Sequence, residues 1–327
     1  MYLVTGGAGF IGSNLVAALA ARGEDVAVCD WLRQDSRWRN LSKHEICALL
    51  APEDLGGWLD RHGSRVRAVI HLGAISATTE TNVDLLAENN IRATLAMLEW
   101  CTERQVRLIY ASSAATYGDG AAGFDDEFDC GALAKLRPLN AYGWSKHLID
   151  RRVAKLAAQC RPLPPQWVGL KFFNVYGPNE YHKGAMQSVV AKNYALVRDA
   201  QPISLFRSYR PDYADGGQVR DFIYVRDCVD VMLWLLDNPR VLGLFNVGTG
   251  RARSWLDLAK AMFAAARQPL TVEFVDMPAA LVDSYQYHTE ARMQRLRAAG
   301  YERDFTSLEQ GVADYVQNFL AARDPYR

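Results

Sequence analysis

Residues 2–15 read YLVTGGAGFIGSNL. Tyr2-Leu3-Val4 is a short apolar strand. Gly7, Gly9 and Gly12 then form G-x-G-x-x-G, Gly6 extends it, and a helical period runs on to about Arg22. Bare glycines let a backbone turn tightly and lie against a pyrophosphate, and the helix that follows aims unpaired N–H groups at its oxygens. Alone the motif is weak. Here a strand precedes it, a helix follows it, and Asp30 closes the next strand, 25–30. That context reads as a dinucleotide-binding strand–helix–strand unit.

Outward from this stretch the alternation continues. Strands are expected at 66–72, 107–112 and 167–173, separated by periodic segments that include 82–103 and 142–159. Such alternation predicts an α/β protein with a doubly wound parallel sheet of Rossmann type. We place that domain at 1–175 and a smaller C-terminal, substrate-binding lobe at 176–327, with some lobe segments returning to the main sheet. Beyond Gly177-Pro178 the pattern loosens. Segment 207–218 reads as a long surface loop, 245–247 and 271–275 as strands, and 254–267 and 307–322 as helices.

Composition bounds the function. The chain has 327 residues, and its 37 Lys+Arg balance 37 Asp+Glu. A net charge of zero gives no electrostatic case for nucleic acid or an anionic membrane, so an anionic ligand must meet a local cluster of donors. The six cysteines are scattered and the histidines add no metal-ligand spacing, so no metal is expected. Met1 abuts the first strand, which leaves no room for a signal peptide, and no apolar run spans a bilayer. These features predict a cytoplasmic protein with reduced thiols.

ASSAATYG (111–118) puts Ser113 at the carboxyl edge of a strand, where open α/β sheets bind ligands. Tyr142 and Lys146 lie one turn apart on a helix and share a face. A free phenol titrates near about 10, and the Lys146 ammonium together with the positive oxidised nicotinamide is expected to favour its phenolate. Beside a nicotinamide, such a pair defines alcohol–ketone chemistry. A non-catalytic dinucleotide sensor is the competing class; it predicts decay of Ser113, Tyr142 or Lys146, and all three are present. At the cofactor's far end, Asp30 suits the ribose 2′-hydroxyl of NAD, whereas Arg33, Arg37, Arg39 and Lys43 suit the 2′-phosphate of NADP, so these residues leave both open. Arg220 suits a diphosphate or an ion pair with Asp221 or Asp227. His71 reads as a packed, satisfied residue, and Arg151, Arg152 and Lys155 as a solvated helix face.

The glycine loop, ASSAATYG and Y-x-x-x-K together resemble the extended short-chain dehydrogenase/reductases that act on nucleotide sugars. FNVYGPNEYHKGAMQSV (173–189), RDFIYVRDCVDV (220–231), FNVGTGRARSW (245–255) and LRAAGY (296–301) resemble the ADP-L-glycero-D-manno-heptose 6-epimerase family over nearly the whole chain. The resemblance implies Tyr142 and Lys183 as two acid/base groups, with Ser113 and Lys146 completing the catalytic set. It implies cofactor contacts at Gly6, Gly9, Phe10, Ile11, Gly12, Asp30, Arg37, Leu72, Gly73, Ala74, Ser76, Asn89, Lys146, Val175 and Lys183. It implies sugar-nucleotide contacts at Ser113, Asn174, Ala185, Lys192, Phe206, Arg220 and Tyr285. NADP is the implied cofactor, with NAD left open, and a homo-oligomer, often a pentamer, the implied assembly. The chain departs from the family at Trp31, where Asn is frequent, and at Pro52, where a Lys reaches the 2′-phosphate. Ala185 and Lys192 replace a Ser and a His, and the loop 207–219 is longer.

The implied reaction inverts C6 of an ADP-heptose, an inner-core sugar of lipopolysaccharide, through a transient ketone. That carbon has no acidic proton, so hydride must leave and return, and the oxygen lies in a different place before and after the ketone turns. One acid/base group for each pose meets that need. A UDP-hexose 4-epimerase is the alternative on the same fold. A 4,6-dehydratase needs a further acid and base after the strand serine, where this chain has Ala114 and Ala115.

Overall fold

The structure is a computed structural model that describes residues 1–282 and 285–327. Among the described residues twelve strands are formed: β1 Tyr2–Thr5, β2 Val26–Cys29, β3 Ala48–Leu50, β4 Ala68–His71, β5 Arg107–Ser113, β6 Trp167–Phe172, β7 Asn174–Tyr176, β8 Ile203–Phe206, β9 Val219–Tyr224, β10 Gly243–Val247, β11 Ala252–Ser254 and β12 Val272–Val275. Seven make one parallel sheet in the order β3-β2-β1-β4-β5-β6-β10. Every residue of β1, β2, β4, β6 and β10 is buried, because helices cover both faces. The order reverses between β1 and β4, so a crevice opens beyond the carboxyl ends of those two strands.

The glycine loop follows β1 and the turn 72–76 follows β4, so both border this crevice. Residues 225–247 supply the helix Val225–Asp237, which packs on the helix Phe10–Ala21, and then β10, which extends the first sheet beside β6. A second apolar core lies under the sheet β11-β9-β7 and the parallel pair β12-β8, closed by the helices Val189–Arg198, Trp255–Ala265 and Leu308–Tyr315. Phe10, first residue of the glycine-loop helix, belongs to this second core.

Two details depart from the sequence reading. The edge strand β3 is three residues long with Leu49 exposed, too short and too wet to leave a pattern. Segment 82–103 is helical throughout its core but widens to a π-turn at Ala87–Arg92. In that turn Asn90 is buried; its Oδ1 accepts from Ile75 N at 2.8 Å and its Nδ2 donates to Ile75 O at 3.0 Å and to Ser145 Oγ at 3.0 Å. One side chain thus ties the turn after β4 to the Tyr142 helix. The segment 207–218 is a loop between β8 and β9, as expected. No helix among the described residues is long and apolar enough to cross a membrane.

Candidate active site

Gly6 has φ +67°, and a Cβ there would lie 2.6 Å from Gly73 N, so the loop after β1 is pressed against the turn after β4. A Cβ on Gly12 would lie 2.1 Å from Gly6 O. The helix begins at Phe10 with Gly9 as its N-cap and no side-chain cap, which leaves its first N–H groups to bind an anion. Asp30 Oδ2 accepts from Ala8 N at 2.9 Å. Burial lifts its carboxyl above the usual range, against the Ala8 N–H and Arg37. A cavity of about 700 Å³ opens at this end, lined by Asp30, Trp31, Arg33, Leu50, Ile75 and Asn89 among others. Bare cradle, uncapped helix and terminal carboxylate fit a dinucleotide.

Arg37 is not a free cation at this end. Its Nε and Nη2 donate to Asp35 at 3.0 and 2.8 Å, Nη1 donates to Trp31 O at 3.2 Å, and Asp30 lies 3.9 Å away. Trp31 donates from Nε1 to Glu53 at 2.8 Å. Asn89 lines the cavity while its amide donates to Leu85 O at 2.9 Å.

Tyr142 sits in the first turn of the helix Ala141–Ala158, which Asn140 caps by accepting from Gly143 N at 2.8 Å. Ser113 ends β5 and its Oγ accepts from Ala115 N at 3.1 Å. The expected lowering of the Tyr142 phenol does not hold in the protein by itself. Burial raises it, and only the Ser113 hydroxyl beside it pulls the other way. Lys146 is buried too, and burial lowers its ammonium to about 8 against the pull of Asp150. Two groups expected to separate charge are both pushed toward their neutral forms.

Asp150 stands one more turn along the same face and has no solvent exposure. It pairs with the equally buried Lys171 of β6 at 3.0 Å and accepts from Ser112 Oγ at 2.7 Å. Lys171 also donates to Thr116 Oγ1 at 2.7 Å. This pair locks the Tyr142 helix to β5, β6 and the turn that follows Ser113. The spacing 142–146–150 was its only signal in the sequence.

His71 is a satisfied core residue, as expected. Its ring nitrogens meet Thr5 Oγ1 at 2.8 Å and Thr94 Oγ1 at 3.0 Å. Burial first, then Lys146, lowers it to about 3. An unfolded histidine titrates near about 6.5, so between these values the unfolded chain binds the extra proton and stability falls as pH drops. His71→Gln should flatten the slope of stability against pH by about 1.4 kcal/mol per pH unit across that window. Urea unfolding of both proteins at pH 5 and pH 6 measures this; parallel slopes would refute it.

Lys183 lies in the turn Tyr181–Met186, where Gly184 adopts φ +52°. Its Nζ is 4.9 Å from the Phe10 ring centroid, beside the start of the glycine-loop helix. Burial lowers its ammonium and Lys192 adds to that, while Glu180 raises it. Among the described residues it forms no hydrogen bond or ion pair with Tyr142 or Lys146. Buried Glu180 holds the turn, accepting from Ser188 N at 2.5 Å, Ser188 Oγ at 2.7 Å and Gly177 N at 3.3 Å. Ala185 and Lys192 are exposed, as is Asn174 on β7; Val175 is half-buried.

Three expected substrate residues come together. The Phe206 and Tyr285 rings meet edge-on at 6.1 Å, and the Arg220 guanidinium lies 5.2 Å from Tyr285 and 5.7 Å from Trp255. Trp255 Nε1 donates to Tyr285 Oη at 3.1 Å, a partner the sequence reading missed. The ion pair considered for Arg220 does not form. Asp221 is spent on Thr249 N, Gly250 N and Ala291 N, and Asp227 on Thr306, so Arg220 has no carboxylate partner among the described residues.

The family model described as NAD dependent epimerase/dehydratase family matches residues 2–248. An ADP-L-glycero-D-manno-heptose-6-epimerase from Nitratidesulfovibrio vulgaris (strain DP4) is 50% identical, with 100% of each chain covered. Among solved structures, the Helicobacter pylori ADP-L-glycero-D-manno-heptose-6-epimerase is 27% identical at a TM-score of 0.78, covering 98% of this chain and 96% of that one. The Thermus thermophilus UDP-glucose 4-epimerase, solved with NAD, is 28% identical at a TM-score of 0.75, covering 98% of this chain and 99% of that one.

Proposed function

Because the chain belongs to the NAD dependent epimerase/dehydratase family, among the ADP-L-glycero-D-manno-heptose 6-epimerases, we propose that it converts ADP-D-glycero-D-manno-heptose to the L-glycero epimer at C6. The observation that carries the reading is the Ser113 hydroxyl beside the Tyr142 phenol, with Lys146 one turn along the same helix and Lys183 standing over Phe10 on the glycine-loop helix.

The cofactor is a nicotinamide dinucleotide. Gly6, Gly9 and Gly12 with the N–H groups at Phe10 and Ile11 would hold its pyrophosphate, Asp30 its ribose, and the turn Leu72–Ser76 with Asn89, Lys146 and Val175 its remaining length. When bound, it supplies the acceptor and later the donor of hydride. We read it as NADP, with Arg37 exchanging Asp35 for the 2′-phosphate and Arg33 assisting. Acid release followed by mass analysis distinguishes NADP from NAD.

Ser113 orients the C6 oxygen and Tyr142 exchanges its proton in one pose. Lys183 does so in the other, after the 6-keto group has turned. Lys146 stands one turn from Tyr142 on the same helix and would bind the cofactor beside it. Arg220, with Phe206 and Tyr285, would receive the nucleotide diphosphate, which leaves the heptose free to turn. Asn174, Ala185 and Lys192 would border the sugar. A homo-oligomer, a pentamer by the resemblance, and a cytoplasmic location belong to the same reading.

The test is incubation with ADP-D-glycero-D-manno-heptose deuterated at C6. The L-glycero product should keep its deuterium, because hydride returns to the carbon it left. Loss of label to solvent would mean proton abstraction instead. Turnover of UDP-glucose with no turnover of the ADP-heptose would replace this reading by the 4-epimerase.

A further inference from the structure

The residues 324–327 lie across three parts of the site at once. Tyr181 Oη donates to Pro325 O at 2.8 Å, and the Tyr181 and Tyr326 rings meet edge-on at 5.3 Å. Arg327 N donates to Asn179 Oδ1 at 2.9 Å, and Arg327 Nη1 donates to Asn14 Oδ1 at 3.2 Å. On the other flank, Lys43 Nζ donates to Tyr326 O at 2.6 Å and pairs with Asp324 at 2.8 Å. His44 Nε2 meets Arg327 O at 3.2 Å, and the Arg39 guanidinium lies 5.8 Å from the Tyr326 ring centroid.

The residues these contacts hold are those that carry Lys183. Asn179 and Tyr181 stand four and two positions before it. Asn179 is fully buried with φ +73°, in the left-handed region that asparagine tolerates better than other side chains. Its Nδ2 donates to Ser13 Oγ at 3.0 Å, and its carbonyl accepts from Asn40 Nδ2 at 3.2 Å. Asn14 Nδ2 donates to Phe10 O and to Pro178 O, each at 2.9 Å. Glycine-loop helix, Lys183 turn and the 36–44 segment therefore share one polar junction, and 324–327 caps it. Such a junction fixes where an amine at the end of a flexible four-carbon stem can reach.

We propose that residues 324–327 are a strap whose Pro325, Tyr326 and Arg327 position Lys183 for its acid/base step. This rests on the role given to Lys183 above. The strap touches neither the cradle glycines nor Tyr142, and Asn14, which Arg327 does reach, keeps its own bonds to Phe10 O and Pro178 O, so loss of the strap should spare cofactor binding while displacing one of the two proton-exchanging groups.

The variants are Tyr326→Ala, Arg327→Ala and deletion of 325–327, with Tyr326→Phe as the conservative control, since the ring and backbone carry Tyr326's contacts. We expect kcat to fall roughly ten- to a hundredfold in Tyr326→Ala, with KM for the sugar nucleotide within about threefold and near-normal rates in Tyr326→Phe. Water admitted around Lys183 relieves the burial that lowers its ammonium, so the limb of the kcat–pH profile set by Lys183 should move to higher pH. A merely structural loss would lower the profile without moving it. Hydrogen exchange reports independently of turnover: 177–188 should exchange faster and 141–158 should not change. Unchanged exchange at 177–188 would overturn the strap even in an active epimerase. Faster exchange in a protein inactive on ADP-heptose would keep the strap and sink the substrate reading. A deletion variant that fails to fold leaves Tyr326→Ala and Arg327→Ala to decide, and a profile unmoved in both overturns the proposal.

Discussion

Tyr142→Phe should lower epimerisation by roughly 10²- to 10⁴-fold, the usual span for removing a positioned acid/base group. The change deletes one oxygen. The helix keeps its Asn140 cap, and the buried Asp150–Lys171 pair still anchors it, so the fold and the bound cofactor should persist. KM should change little, because Arg220, Phe206 and Tyr285 gather around Trp255 on the second apolar core. In the protein alone the phenol is neutral, since burial outweighs the Ser113 hydrogen bond. That is the form needed to give a proton to a ketone; to accept one from an alcohol the phenol must first be brought down by nearby positive charge. The loss in the variant should therefore appear in both directions of the reaction. A variant within about threefold of wild type would remove Tyr142 from the chemistry, because no ordinary acid/base contribution is that small.

What the sequence disclosed follows from range. The glycine loop, β1, β2, β4, β5 and β6 were legible because each is local: buried parallel strands are continuous apolar runs, and the loop's glycines are demanded by contacts within one βαβ unit. Tyr142, Lys146 and Ser113 were legible from spacing on one helix and one strand end. The β11-β9-β7 sheet was not, since it joins three-residue strands to RDFIYV, whose apolar run reads equally as a helix start. Arg37 was visible as a cation, but its pairing with Asp35 depends on a tight turn two residues long. Nor could periodicity foresee contacts over long separations: the junction of Asn14 with Asn179 and Arg327, or of Asn90 with Ile75 and Ser145. Burial misled the pKa argument for the same reason. A phenol beside a lysine looks acidic on paper, whereas burial beyond the end of β5 raises it in the protein alone and leaves the lowering to the cofactor's charge.

Lys183 is where the stereochemical inversion stands or falls, and two substitutions separate its possible roles. Lys183→Met keeps most of the side chain's length and removes the amine, with its contact to the Phe10 ring; the rate should drop by roughly 10²- to 10⁴-fold. Glu180 would lose a neighbouring charge but keep its three hydrogen-bond donors, so the turn should hold. Lys183→Arg keeps a cation that does not deprotonate near neutral pH. If residue 183 only anchored a phosphate, arginine would serve and activity would survive; if it exchanges a proton, arginine should fail about as badly as methionine. The pH profile supplies the sign. In the direction where Lys183 takes the alcohol's proton it must start neutral, so kcat rises with pH through its value in the complex. In the reverse direction it must start protonated, so kcat falls with pH through that same value. Burial and Lys192 bring that value down from the ordinary lysine range, against the pull of Glu180. Measuring kcat against pH from each epimer should show one limb changing sides, and the limb should vanish in any residual activity of Lys183→Met. Limbs on the same side from both epimers would mean that one group serves both poses, and the two-base geometry would have to be abandoned.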